Sequence, residues 1–115
     1  MAYTEPYEAL DEKTRDISRA ITSLREELEA IDWYNQRVAT SQNQSLKEIM
    51  AHNRDEEIEH AAMTLEWLRR NMDSWDEELK TYLFTNGSLI EAETGDASAS
   101  DSSSSSSLSI GSLKD

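Results

Sequence analysis

The chain of 115 residues contains no cysteine, one proline, three glycines and one phenylalanine. Without cysteine it can build neither a disulfide frame nor a thiolate metal site. So few prolines and glycines, with almost no β-branched runs, favour long helices. No apolar run approaches the ~20 residues a membrane-spanning helix needs. The start Met1-Ala2-Tyr3-Thr4-Glu5-Pro6 lacks a signal peptide's basic and apolar regions, so the expected compartment is the cytosol. Basic residues are scarce too: 11 Lys and Arg against 24 Asp and Glu give a formal charge of −13. Phosphate would be repelled, which argues against nucleic acid as a partner, whereas cations would be attracted.

What is present is periodicity. Thr4-Glu5-Pro6 reads as a helix start, with proline where a missing N–H does no harm. Leu10, Thr14, Ile17, Ile21, Leu24, Leu28, Ile31 and Val38 then repeat at steps of four and three, a heptad seam broken at Asn35. Such a helix is too long to be stable without a partner along its length. Thr40-Ser41-Gln42-Asn43-Gln44 is a short polar link, and Ser45 with Glu48 suggests a capping box opening a second helix. Its seam is Ala51, Ile58, Ala61, Leu65, Leu68 and Met72, interrupted at Arg54. A short link between two long helices predicts an antiparallel hairpin. Ser74 with Glu77 predicts a short third helix using Trp75, Leu79, Tyr82 and Leu83, stopped at Asn86-Gly87. The fold class is therefore all-α, a two-helix hairpin plus a short C-terminal helix. The expected divisions are a helical domain over 1–92, a Ser/Asp-rich linker over 93–106 and a terminal peptide over 107–115.

Chemistry concentrates on the second helix. Glu57 and His60, three residues apart, leave the same face and can hold one ion or bridge two. Alone the pair is weak, since Glu-x-x-His arises by chance in acidic helices. Glu27, mid-way along the first helix, adds weight. Di-iron carboxylate bundles use a Glu from each of two helices and Glu-x-x-His from each of the other two. This chain carries half that set on half that scaffold, and a two-fold dimer would supply the rest, closing a four-helix bundle. Each of the three residues directly precedes a seam residue (Leu28, Ile58, Ala61). The expectation is therefore that the seam closes the hairpin while the ligands face a second chain. Oxygen-rich ligation with one imidazole per ion suits iron, and also manganese or zinc. Two other classes explain the same seams: a non-catalytic acidic coiled-coil dimerisation module, and a structural zinc or calcium site that holds a dimer.

The stretches Glu26-Glu27-Leu28-Glu29-Ala30-Ile31-Asp32-Trp33-Tyr34, His52-Asn53-Arg54-Asp55-Glu56-Glu57, Glu59-His60-Ala61-Ala62-Met63-Thr64-Leu65-Glu66-Trp67-Leu68-Arg69-Arg70 and Lys80-Thr81-Tyr82-Leu83-Phe84-Thr85 resemble the encapsulated ferritins. The resemblance covers roughly residues 8 to 92. It implies a ferritin-like bundle made by dimerisation, dimers in an annular decamer, and ferroxidase activity at a di-iron centre on the dimer interface. Glu27, Glu57 and His60 would be the iron ligands and catalytic residues, with Tyr34 as a further catalytic residue and Trp33 close by. Glu26 and Glu29 would form an outer acidic site, for calcium or other divalent cations, on the route in. The tail Ser107-Leu108-Ser109-Ile110-Gly111-Ser112-Leu113-Lys114 resembles a cargo-loading peptide, which implies an encapsulin shell protein as partner of residues 107–115 and a location in the lumen of an encapsulin nanocompartment, where iron would be stored. Read from the residues alone, Glu26 and Glu29 also suit a solvated acidic face, and Trp33 and Tyr34 suit packing. His52, Met63, Trp67 and Trp75 read as structural.

Overall fold

A computed structural model of the protein describes residues 3–95. Among these the regular elements are all helical: a 3-10 turn at Tyr7–Ala9, then α1 (Glu12–Thr40), α2 (Gln44–Asn71), α3 (Asp73–Tyr82) and α4 (Leu89–Thr94). The chain divides after Asn71 into two compact units. No helix among the described residues is long and apolar enough to cross a membrane.

The first long helix begins at Glu12, not beside Pro6. Pro6 instead precedes the 3-10 turn, and Leu10 is extended before Asp11 caps α1. The Asp11 carboxylate accepts the Thr14 N–H at 2.8 Å, satisfying one of the orphan donors of the first turn. The turn is fastened to α1 by Arg15, which donates to the Tyr7 carbonyl at 2.8 Å and lies 3.8 Å over the Tyr7 ring. Helix α2 is capped by Asn43, whose Oδ1 accepts the Leu46 N–H at 2.9 Å. The expected Ser45–Glu48 box is not formed; Asn43 is as good a cap as Ser and comes earlier in the chain.

At ~1.5 Å per residue each long helix runs roughly 40 Å, and the two pack as the predicted hairpin. Its antiparallel register is read from two cross-links. Arg54 donates to Asn35 Oδ1 at 3.0 Å, and Thr64 Oγ1 stands 3.5 Å from Glu27 Oε2. Asn35 and Arg54, the two residues that interrupt the apolar repeats, thus answer each other across the hairpin.

The heptad spacing holds, but its phase is not the one apolarity suggests. The partly covered residues of α1 include Ile17, Ala20, Leu24, Glu27, Ile31, Tyr34 and Val38. Those of α2 include Lys47, Met50, Arg54, Glu57, Thr64 and Asn71, with Ala61 and Leu68 buried among them. Ile21, Leu28 and Ile58, expected in the seam, are 40%, 54% and 47% exposed. Ile17, Leu24, Ile31 and Val38 belong to both candidate stripes. The row beside them can lie four residues on (Ile21, Leu28, Asn35) or three (Ala20, Glu27, Tyr34). The fold covers the second, more polar row, so Glu27 and Glu57 lie on the covered stripe rather than 100° away from it.

In the second unit Trp75, Leu79 and Tyr82 are half-buried along α3, while Leu83 is exposed. Ser74 lies inside the first turn, and the cap position is Met72, with no side-chain hydrogen bond. Phe84 takes a left-handed backbone (φ 61°) in the loop after α3. Helix α4 was not expected from the sequence. Its signals were present in Ser88, whose hydroxyl accepts the Glu91 N–H at 3.2 Å, and in Gly95 at φ 89°, a left-handed C-terminal stop. Glu93 and Thr94, read as the start of a linker, belong to this helix. The remainder of that linker and the 107–115 peptide lie outside the described residues.

Candidate metal centre

Glu57 and His60 are brought together by one turn of α2. His60 Nδ1 stands 3.7 Å from Glu57 Oε1, with side chains 46% and 28% exposed respectively. That is too long for a hydrogen bond. Two donors on one ion, each at about 2.1 Å, stand roughly 3–3.5 Å apart, so a small rotation lets both reach a common cation. Glu27 approaches from α1. Its Oε2 meets the Thr64 hydroxyl at 3.5 Å. Its Oε1 is buried with no hydrogen-bond partner. A carboxylate oxygen removed from water and left unpartnered costs free energy that a bound cation would offset.

The donor set fits iron: hard carboxylate oxygens, one imidazole and no thiolate. Among the described residues no three His, Asp or Glu of this single chain converge as a group able to hold an ion. The chain brings Glu57 and His60 together and presents Glu27 apart from them.

The remaining candidates disperse. Glu26 and Glu29 are exposed. Tyr34 is partly covered on the α1 stripe, with the Arg37 guanidinium 5.4 Å from its ring centre. Trp33 is half-exposed and lines a shallow groove with Gln36, Arg37 and Thr40. His52 is exposed. Thr64, which no motif marks, joins the candidates through its contact with Glu27. Its signal was its position, one turn beyond His60 and two beyond Glu57 on the same helix.

Further along α2, Glu66 binds Arg69 at 2.7 and 2.8 Å and Arg70 at 2.7 Å. Hydrogen bonds from Arg69, then Arg70, hold its carboxyl down at about 2.

The EncFtn-like family model matches residues 2–86. The chain is 57% identical over 91 residues to a ferritin-like protein of Thermotoga maritima, covering 79% of this chain and 80% of the relative. It is 52% identical over 120 residues to an encapsulated ferritin-like protein of Rhodospirillum rubrum, covering 96% of this chain and 86% of that one. A crystal structure of a Nitrosomonas europaea protein matches with a TM-score of 0.75 at 60% identity, over 77% of this chain and 99% of that chain.

Proposed function

The chain belongs to the EncFtn-like family, whose ferritin-like character carries an iron-related function, and from that premise we propose that it is a ferroxidase whose iron site is shared between two copies. Fe(II) is the substrate. Glu27, Glu57 and His60 of one copy hold it together with the same three residues of a second. Each Fe(II) gives up one electron to O₂ or peroxide, which is reduced. Carboxylate oxygens, hard and anionic, favour the Fe(III) product over the Fe(II) substrate. His60 supplies a neutral nitrogen donor, so the site is not overcharged by carboxylates alone. The acidic surface, including Glu26 and Glu29, draws cations toward it. The single observation that supports this reading is Glu27 Oε1, a carboxylate oxygen buried between two helices without a partner.

The second half of the proposal concerns destination. The name of the Rhodospirillum rubrum relative describes it as encapsulated. We assign residues 107–115 as the segment that docks on an encapsulin shell, with Leu108, Ile110 and Leu113 as apolar anchors on a polar tether. Fe(III) released by the site is then mineralised inside that shell.

The test is anaerobic addition of Fe(II) followed by air. Wild-type protein is expected to develop ferric absorbance rapidly. Glu27→Ala or His60→Ala is expected to slow it at least ~100-fold, the upper end for loss of an outer-shell group. Variants that oxidise Fe(II) at the wild-type rate would return these residues to a solvated acidic face. The protein would then be an acidic helical dimerisation module.

A further inference from the structure

Thr64 stands between the two ligand-bearing helices, and its hydroxyl has two acceptors in reach. The His60 carbonyl oxygen, one turn back on α2, is at 3.0 Å, and Glu27 Oε2, on α1, is at 3.5 Å. A hydroxyl has one proton to give, so it serves one acceptor at a time. The two acceptors differ in need. A mid-helix carbonyl already accepts the backbone N–H four residues on, so that of His60 is satisfied with or without the hydroxyl. Among the described residues Thr64 Oγ1 is the one donor within reach of Glu27 Oε2, at the long limit of a hydrogen bond, and Oε1 has none.

We infer that Thr64 is a positioning residue for the metal centre: its hydroxyl tethers Glu27 Oε2, so that Oε1 is the oxygen presented to a divalent cation. The inference rests on the metal-binding reading above. A glutamate has three rotatable bonds and two equivalent oxygens, and an untethered one must lose that freedom on binding. Fixing one oxygen from the opposite helix settles which oxygen binds. The β-branched Thr side chain is itself restricted, with rotamers that direct Oγ1 toward the carbonyl one turn back. That carbonyl is also what makes the tether releasable. If a cation draws Glu27 away, the proton falls back on the His60 oxygen, and no buried donor is stranded.

The test uses the full chain, with Thr64→Val removing the hydroxyl at nearly constant shape and Thr64→Ser retaining it. Co(II), which binds without being oxidised, is titrated anaerobically, and both its visible spectrum and its affinity are read. Thr64→Val is expected to weaken Co(II) binding about tenfold, to alter the Co(II) spectrum and to raise KM for Fe(II), with the melting curve and molecular mass unchanged. Thr64→Ser is expected to restore affinity and spectrum. Wild-type behaviour in Thr64→Val, or a Thr64→Ser variant as weak as Thr64→Val, overturns the positioning role. Glu27→Ala is the control. If wild-type protein gives no Co(II) spectrum, or Glu27→Ala leaves it unchanged, the metal site itself fails and the tether with it. If Glu27→Ala abolishes the spectrum while Thr64→Val does not, the tether alone fails.

Discussion

The two sides of the hairpin have exchanged the residues they would ordinarily carry. The stripe between α1 and α2 includes Glu27, Lys47, Arg54, Glu57 and Thr64, whereas Ile21, Leu28, Ile49, Ile58, Met63 and Trp67 lie exposed. Leu68 is the one large side chain among the described residues to be fully buried. A surface leucine taken singly means little, because much of any protein surface is apolar. Six large apolar residues left outside, on the two flanks of a covered stripe that holds carboxylates, are a different matter. The polar stripe asks for cations and the apolar flanks for a neighbour. Both demands are met at once if two hairpins close a bundle around shared metal, as proposed.

The largest expected effect comes from attacking the outer side. Leu28→Asp combined with Ile58→Asp places two charges on that surface and leaves Glu27, Glu57 and His60 untouched. Sedimentation should then show single chains even with metal present, and Fe(II) oxidation should fall with association. A variant that stays associated and active would show that this surface is not what joins the copies.

A smaller effect belongs to the exposed cross-link between the two helices. Arg54→Met leaves Asn35 without its cross-helix donor and should cost about 1 kcal/mol in urea unfolding. Asn35 is exposed, so adding Asn35→Ala to Arg54→Met should cost little more. An unchanged midpoint for the single variant would make the pair incidental to helix register.

The smallest lies on the outer edge of α2. The Glu66 carboxyl is held at about 2, below its ordinary 4.5. Its contribution is therefore fully present above pH ~4.5 and is lost as pH falls toward ~2. The side chain is 40% exposed, so solvent screening limits the effect to roughly 1 kcal/mol or less. Glu66→Gln should flatten that portion of the stability–pH curve. An identical curve in the variant would remove Arg69 and Arg70 from the account of acid stability.

The hairpin was legible in the sequence because its signals agree: a 3–4 repeat on both sides of a short polar link. The phase of the repeat was not, for a physical reason. Ile17, Leu24, Ile31 and Val38 serve either stripe, and the repeat by itself does not choose between Leu28 and Glu27 as their neighbour. Hydrophobicity favours Leu28 toward the partner helix, and the fold places Glu27 there. The caps differ from those expected: Asn43 precedes Ser45 by two residues, Asp11 follows Pro6 by five, and Met72 rather than Ser74 stands at the start of α3. That Glu57 and His60 stand side by side was readable from spacing alone, as one helix turn fixes their separation. Thr64 was not, because its significance arises from a contact with Glu27, 37 positions away in the chain.

The central claim is that metal is held between chains, three ligands from each. Native mass spectrometry of the full chain titrated anaerobically with Co(II) tests it directly. The account predicts bound metal only on species of two or more chains, absent from monomers in the same sample and absent from Glu57→Ala at every size. Monomers carrying the same metal load per chain as the assembled species would contradict it.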